Sequence, residues 1–242
     1  MKRQSRAGWY YWQMPKNYVL IPAAGAGSRM GAELPKQYLS LLGKPLIHHT
    51  LSAFCAHPAV AQVVVVLSPD DRWWDGYDWR DFAGRVSVLR CGGATRAATV
   101  LGGLQGLDLD EDDWVLVHDA VRPCITTELL DRLFAELQDD ETGGLLAVPL
   151  ADTLKRAGAD GRVANTEPRD DLWQAQTPQM FRYGLLRRAL QALGTDTPTD
   201  EAQAVEYLGL SPKLVPGDVR NLKVTFPRDL ALAEMILKGE KC

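Results

Sequence analysis

Apolar runs of strand length alternate with amphipathic segments of helix length along most of the chain. Tyr18–Ile21 is a short apolar run that leads into a Gly-rich loop. Val63–Leu67 is a second, rich enough in β-branched residues to predict burial on both faces. Val86–Leu89, Trp114–Val117 and Leu145–Val148 continue the series. Between these runs, Pro45–Phe54 sets Ile47, Leu51 and Phe54 at helical spacing, and Thr95–Leu107 and Thr126–Leu137 read as further helices. The last keeps Leu130, Leu133, Phe134 and Leu137 on one side and opens on a Thr suited to N-capping. Strand–helix–strand repetition implies right-handed crossovers, and so an α/β fold with a mainly parallel twisted sheet flanked by helices.

Ala151–Arg169 breaks this rhythm. It has few large apolar residues, and Gly158-Ala-Asp-Gly161 is a turn signal between two weak strands, which predicts a two-stranded hairpin. A polar two-stranded hairpin is marginal alone in water, so it needs something to pack on. Beyond it the pattern predicts a strand or loop at Trp173–Pro178, helices at Tyr183–Leu193 and Glu201–Leu208, a short strand at Leu222–Thr225, and a closing helix from Pro227 to Gly239. Trp73–Trp79 reads as an irregular amphipathic helix. The expected organisation is an N-terminal extension, residues 1–17, followed by one domain over residues 18–242.

With 27 Lys and Arg against 31 Asp and Glu, the chain has a net charge of −4 and 46% hydrophobic residues, an ordinary globular composition. Disorder is excluded. The acidic balance argues against a nucleic-acid partner, yet leaves room for a small phosphorylated ligand, for which a few local cations suffice. Cys55, Cys91, Cys124 and Cys242 are scattered and read as reduced thiols of a cytoplasmic protein. No apolar run approaches the ~20 residues of a membrane span, so no membrane partner is expected. The basic N-terminus lacks the ~7–15-residue apolar stretch of a signal peptide.

The strongest chemical signal is Pro22-Ala-Ala-Gly25-Ala-Gly27-Ser-Arg29-Met-Gly31, followed by Pro35-Lys36. Small residues after a buried strand let backbone N–H groups approach an anion, and Arg29 and Lys36 add two cations suited to a polyphosphate. A third glycine of the dinucleotide fingerprint would fall on Met30, and the Gly-Lys-Ser/Thr of a P-loop is missing, which disfavours both classes. Asp119, in Val-His118-Asp119-Ala-Val-Arg122-Pro123, sits at the C-terminal end of a strand, where a carboxylate can hold Mg²⁺ beside phosphate oxygens; alternatively it caps the next turn and pairs with Arg122. A His–Asp metal hydrolase would need more ligands than His48, His49 and His57 supply. Gly92-Gly93-Ala94-Thr95-Arg96-Ala-Ala-Thr99 is a second Gly-to-helix turn suited to reading a base with backbone groups. Thr153, Lys155, Arg169 and Lys223 supply hydroxyl and cationic groups far apart in sequence.

The ordered set PAAGAGSRM, PKQYL, CGGATRAATV, HDAVRP, DTLKRA, LWQAQTPQMF, TDEAQAVEYLG and NLKVT resembles the 2-C-methyl-D-erythritol 4-phosphate cytidylyltransferase family, from about Tyr18 to about Leu237. The resemblance implies a Rossmann-like nucleotidyltransferase fold, a homodimer clasped by a protruding arm at about residues 151–170 that matches this hairpin, and Mg²⁺-dependent transfer of a cytidylyl group from CTP to methylerythritol phosphate. It implies triphosphate binding by Ala23, Ala24, Gly25, Arg29 and Lys36, with Arg29 and Lys36 stabilising transition-state charge. Cytosine would be read by Gly93, Ala94 and Thr99. Asp119 would hold Mg²⁺, Lys223 would neutralise the α-phosphate, and Arg122, Thr153 and Arg169 would contact methylerythritol phosphate, the last two from a partner's arm. Thr99 stands where the family more usually has Ser, Ala94 replaces a common Asp, and Pro168 precedes Arg169 where an acid is common. Ribitol 5-phosphate cytidylyltransferase is the nearest rival, and a catalytically silent nucleotide-binding regulator the rival of another class. The length leaves no room for a fused second enzyme of the same pathway.

Overall fold

In the structure, a computed structural model, residues 15–25, 34–194 and 197–239 are described. The first strand, β1 (Asn17–Pro22), lies inside a seven-stranded sheet of order β11-β7-β10-β6-β1-β4-β5. Helix α1 (Leu46–Ala56) follows a two-residue ribbon of β2 (Ser40–Leu41) and β3 (Lys44–Pro45), and carries the chain to β4 (Val60–Val66), parallel to β1. β5 (Val86–Leu89) adds a parallel edge. Helix α2 (Arg96–Gln105) then returns the chain across β1 to β6 (Trp114–Val117), parallel to β1 on its other side. The strand order therefore reverses between β1 and β6, the switch point outside which open α/β sheets bind ligands.

Alternation along the strands explains both covered faces. Val19, Ile21, Val63, Val65 and Leu116 point to one core with α1 and α3 (Thr127–Leu137). Leu20, Val66, Val115 and Val117 point to the other, with α2 and α4 (Tyr183–Gln191). Strands buried on both faces have no polar alternation, as the β-branched run in β4 implies. β7 (Gly144–Pro149) and β10 (Trp173–Arg182) extend the sheet, β10 running antiparallel to both β6 and β7. A register break between Ala175 and Gln179 takes Gln176 and Thr177 out of the ladder, and both are buried. A third cluster joins Val121 and Cys124 to Val224 and to Ala233 of the closing helix α6 (Pro227–Gly239).

The arm forms as expected: β8 (Leu154–Ala157) and β9 (Val163–Glu167) make a separate two-stranded sheet that pairs with no other described strand. Two expectations need correction. Leu222–Thr225 is not a strand, because its Val224 N–H bonds to Val121 O (2.9 Å) in a turn and finds no neighbouring strand. The strand is instead β11 (Lys213–Pro216), a short parallel edge beside β7 that follows α5 (Glu201–Glu206) and has only Val215 buried. Nor is Trp73–Trp79 a helix. Asp71 Oδ1 accepts the Trp73 and Trp74 N–H groups (both 3.0 Å), and a 3₁₀ turn at Trp74–Gly76 stacks Trp74 on Trp79 at 4.0 Å.

The turn into β7 has no room for a side chain. Gly143 has φ +91°, and a Cβ there would stand 2.3 Å from Met180 O of β10. Gly143→Ala is expected to lower stability by about 2–4 kcal/mol. Urea unfolding would show this as a lower midpoint at unchanged slope.

Candidate active site

Two loops meet at the switch point. The Ala23 N–H extends the β1–β4 pairing to Val66 O (2.8 Å), and the chain then runs through Ala24 to Gly25 without bulky side chains. Gly92 packs so closely that a Cβ would stand 2.3 Å from Ala24 Cβ and 2.8 Å from Leu67 O. Thr95 caps α2 by accepting the Ala98 N–H (3.1 Å). Thr99, buried, accepts the Gly93 N–H (3.1 Å) and donates to Thr95 O (2.9 Å), so its hydroxyl shapes the loop. Lys36 opens a 3₁₀ turn fastened from both sides: Gln37 Nε2 donates to Ala23 O (2.8 Å), and Tyr38 Oη donates to Asp71 Oδ2 (2.8 Å).

Ala23, Ala24, Gly25, Lys36, Gly93, Ala94, Thr99, Asp119 and Lys223 all line one cavity of about 490 Å³. Arg122 lines an adjoining recess of about 130 Å³ together with Asp119 and Lys223. Thr153 and Arg169 are exposed on and beside the arm and line neither space. Arg29 lies outside the described residues. A larger hollow, about 630 Å³, opens between α1 and the start of α3, but its Arg132 is spent on Pro216 O (2.6 Å) and its Arg220 pairs with Asp218 (2.7 Å).

Asp119 is the electrostatic centre. Its Oδ1 faces Arg96 Nε (3.2 Å), and its Oδ2 faces Lys223 Nζ (3.0 Å) and Arg122 Nε (3.3 Å). Burial by itself would raise its carboxyl, but Arg96, Lys223 and Arg122 outweigh that and hold it well below the usual carboxylate range. Both readings of Asp119 thus have support: it pairs with Arg122, and it is the one acid lining the cavity among the described residues. The donor set suits Mg²⁺, which commonly takes one or two carboxylates and completes its shell with water and phosphate oxygens. Lys223, its side chain 44% exposed, is the partner best able to move aside.

Both ring nitrogens of His118 have protein partners, and no cluster of three or more ligating side chains occurs among the described residues. Asp119 N–H donates to Thr177 Oγ1 (3.1 Å), leaving that hydroxyl to donate to His118 Nδ1 (3.1 Å) and Nε2–H to donate to Arg122 O (3.1 Å). Thr177 sits at the β10 register break, so the break positions the acid. Sequence reasoning missed Thr177 and Glu201, and gave Arg96 no role beyond opening a helix. Glu201 O ε1 accepts Arg96 Nη1 at 2.5 Å and is 1% exposed. A capping residue ahead of a short helix, Asp200 before Glu201, was visible, but nothing local marks Glu201 as buried.

Comparison with known proteins decides among the nucleotidyltransferases. The family model described as 2-C-methyl-D-erythritol 4-phosphate cytidylyltransferase matches residues 18–239. The chain belongs to this family. The cytidylyltransferase of that name from Dechloromonas aromatica is 61% identical over 230 residues, 94% of this chain and all of the relative. Among solved structures, a 4-diphosphocytidyl-2C-methyl-D-erythritol synthase is similar at a TM-score of 0.81 and 45% identity, over 92% of this chain and 99% of that one. The Francisella tularensis cytidylyltransferase follows at 0.79 and 33%, over 91% and 99%. Among the described residues, every nucleotide-side position carried over from the family motifs lines this cytidylyltransferase cavity, as do Asp119 and Lys223, while the two arm positions do not.

The buried acid and histidine set the pH dependence of stability. Burial pushes His118 down to about 3 from an ordinary 6.5. The unfolded chain therefore takes up this proton first, and stability present above pH 6.5 is lost as pH falls from there toward 3. Asp119, also depressed, contributes stability that is present above the ordinary carboxylate range and lost as pH falls below it. Urea midpoints are expected to decline from about pH 6.5 downward, and His118→Gln to flatten the limb between about pH 6.5 and 4.5. An identical slope in the variant would refute the assignment.

Proposed function

We propose that this chain transfers the cytidylyl group of CTP to 2-C-methyl-D-erythritol 4-phosphate, giving 4-diphosphocytidyl-2-C-methyl-D-erythritol and pyrophosphate for isoprenoid synthesis. The observation that carries this reading is the convergence of a side-chain-free backbone loop, Lys36, Lys223 and Asp119 on one cavity at the switch point. The sugar-alcohol phosphate attacks the α-phosphorus in line with departing pyrophosphate. Positioning and charge neutralisation carry such a step, with no covalent enzyme intermediate.

Amides of Ala23, Ala24 and Gly25 receive the triphosphate, while Arg29 and Lys36 stabilise the charge that grows on it. Backbone groups at Gly93 and Ala94 read cytosine, a task that survives Ala94 because it needs no side chain there; Thr99 supports it by holding Gly93. Lys223, held by Asp119 at 3.0 Å, neutralises the α-phosphate. Asp119 would hold Mg²⁺, which when bound screens repulsion among phosphate oxygens.

Arg122 receives methylerythritol phosphate from the adjoining recess. Thr153 and Arg169 complete that subsite from a neighbouring copy in a homodimer. In support, Val163 on the arm and Leu172 and Trp173 at its base are exposed, apolar surface suited to a second copy of the chain. Residues 18–242 act as one catalytic unit, with residues 1–17 an N-terminal extension. A cytoplasmic setting fits the reduced thiols of Cys55 and Cys91. No described helix is long and apolar enough to cross a membrane.

Arg29→Ala and Lys36→Ala are each expected to reduce turnover by an amount on the order of 2–4 kcal/mol, with a smaller change in CTP affinity, because the charge they meet grows during the step. Turnover within tenfold of the parent in both variants would remove them from this role. Arg169→Ala is expected to raise KM for methylerythritol phosphate and leave CTP binding intact by calorimetry. Pyrophosphate release is expected with CTP and methylerythritol phosphate; faster release with ribitol 5-phosphate, a rival that the family match disfavours, would overturn the substrate assignment.

A further inference from the structure

We infer that Glu201 is a positioning residue of the transfer step, holding the Asp119 carboxylate in place through the guanidinium of Arg96; this rests on the function proposed above. Glu201 and Asp119 come from distant segments, and Arg96 spans them, Nη1 to Glu201 Oε1 at 2.5 Å and Nε to Asp119 Oδ1 at 3.2 Å. A planar fork can engage two carboxylates in this way, and a single ammonium cannot reproduce both contacts.

Three observations say that this link is not there for stability. Glu201 is 1% exposed, and a buried ion pair gains little over well-packed apolar residues even when fully hydrogen-bonded. This one is not: Glu201 Oε2 and Arg96 Nη2 are buried with no hydrogen-bond partner among the described residues. Arg96 is also the first residue of α2, where the helix dipole disfavours a cation. Local rules broken together beside a ligand cavity point to function.

The anchor is itself fixed. Asp200 caps α5 by accepting the Gln203 N–H (2.9 Å), and buried Gln179 of β10 ties down the same turn, donating to Asp200 Oδ2 (3.0 Å) and accepting the Ala202 N–H (2.8 Å). Glu201 therefore holds one end of Arg96 against a rigid strand. The other end occupies Asp119 Oδ1 and leaves Oδ2 to Arg122 and Lys223. Without the Glu201 charge, Arg96 is under-neutralised and is drawn onto Asp119 or into the cavity that it lines. Substrate contacts survive either shift. Charge placement during departure of pyrophosphate does not.

The test is steady-state pyrophosphate release from CTP and methylerythritol phosphate with Mg²⁺. Glu201→Gln is expected to lower kcat roughly ten- to a hundred-fold and to keep KM for each substrate within about threefold of the parent. The double variant Glu201→Gln/Arg96→Gln is expected to fall no further than Arg96→Gln alone, because Glu201 acts through Arg96. Losses that multiply in the double variant, or a folded Glu201→Gln with kcat within about twofold of the parent, would overturn the inference. Glu201→Asp keeps the charge with a shorter reach and decides the matter if Glu201→Gln does not fold: the same kcat loss supports the role, and parent-like kcat overturns it. A parent protein that releases no pyrophosphate overturns the proposed function itself, whereas an active parent with indifferent variants overturns only the role of Glu201.

Discussion

The site is organised by one buried carboxylate that cannot exist as an anion without its cations. Asp119 is 7% exposed, so its charge must be met by protein groups, and Arg96, Arg122 and Lys223 meet it at 3.0–3.3 Å. These cations come from the start of α2, the turn after β6 and the loop before α6. Folding must bring all of them to the C-terminal end of β6 before the acid can be ionised there. The same convergence sets three cations against this one carboxylate at the edge of the cavity.

The sheet makes this convergence possible. Crossovers to opposite sides of β1 leave a crevice between β1 and β6, and parallel strands point their C-terminal ends into it. The antiparallel β10 adds a different element. Its register break frees Thr177 to accept the Asp119 N–H and to hold His118 in the tautomer whose Nε2–H reaches Arg122 O. The break thus connects sheet geometry to the backbone positions of Asp119 and Arg122.

Much of this was legible from residue patterns. Apolar runs marked β1, β4, β6 and β7, because strands buried on both faces have nowhere to put polar groups, and a shorter one marked the half-buried edge β5. Gly92 and Gly93 were legible because close backbone approach leaves only glycine possible. Other features were hidden by their physics. β11 is a short edge strand with one buried side chain, so it carries no periodic signal, whereas Leu222–Thr225 has the right composition but nothing to pair with. Trp73–Trp79 has helical spacing, yet Asp71 and the aromatic stacking fix it in tight turns. Glu201 and Arg96 were unreadable as partners because the ion pair depends on tertiary placement 105 residues apart.

The small cluster of Val121, Cys124, Val224 and Ala233 carries a consequence for assembly. Lys223 is seated next to this cluster: its neighbour Val224 is buried with Ala233 of α6, and the Val224 N–H bonds to Val121 O. The carboxylate just beyond β6 thus takes one of its counter-charges from the segment that joins the closing helix to the body, and the packing of that helix and the charge balance of the crevice are linked.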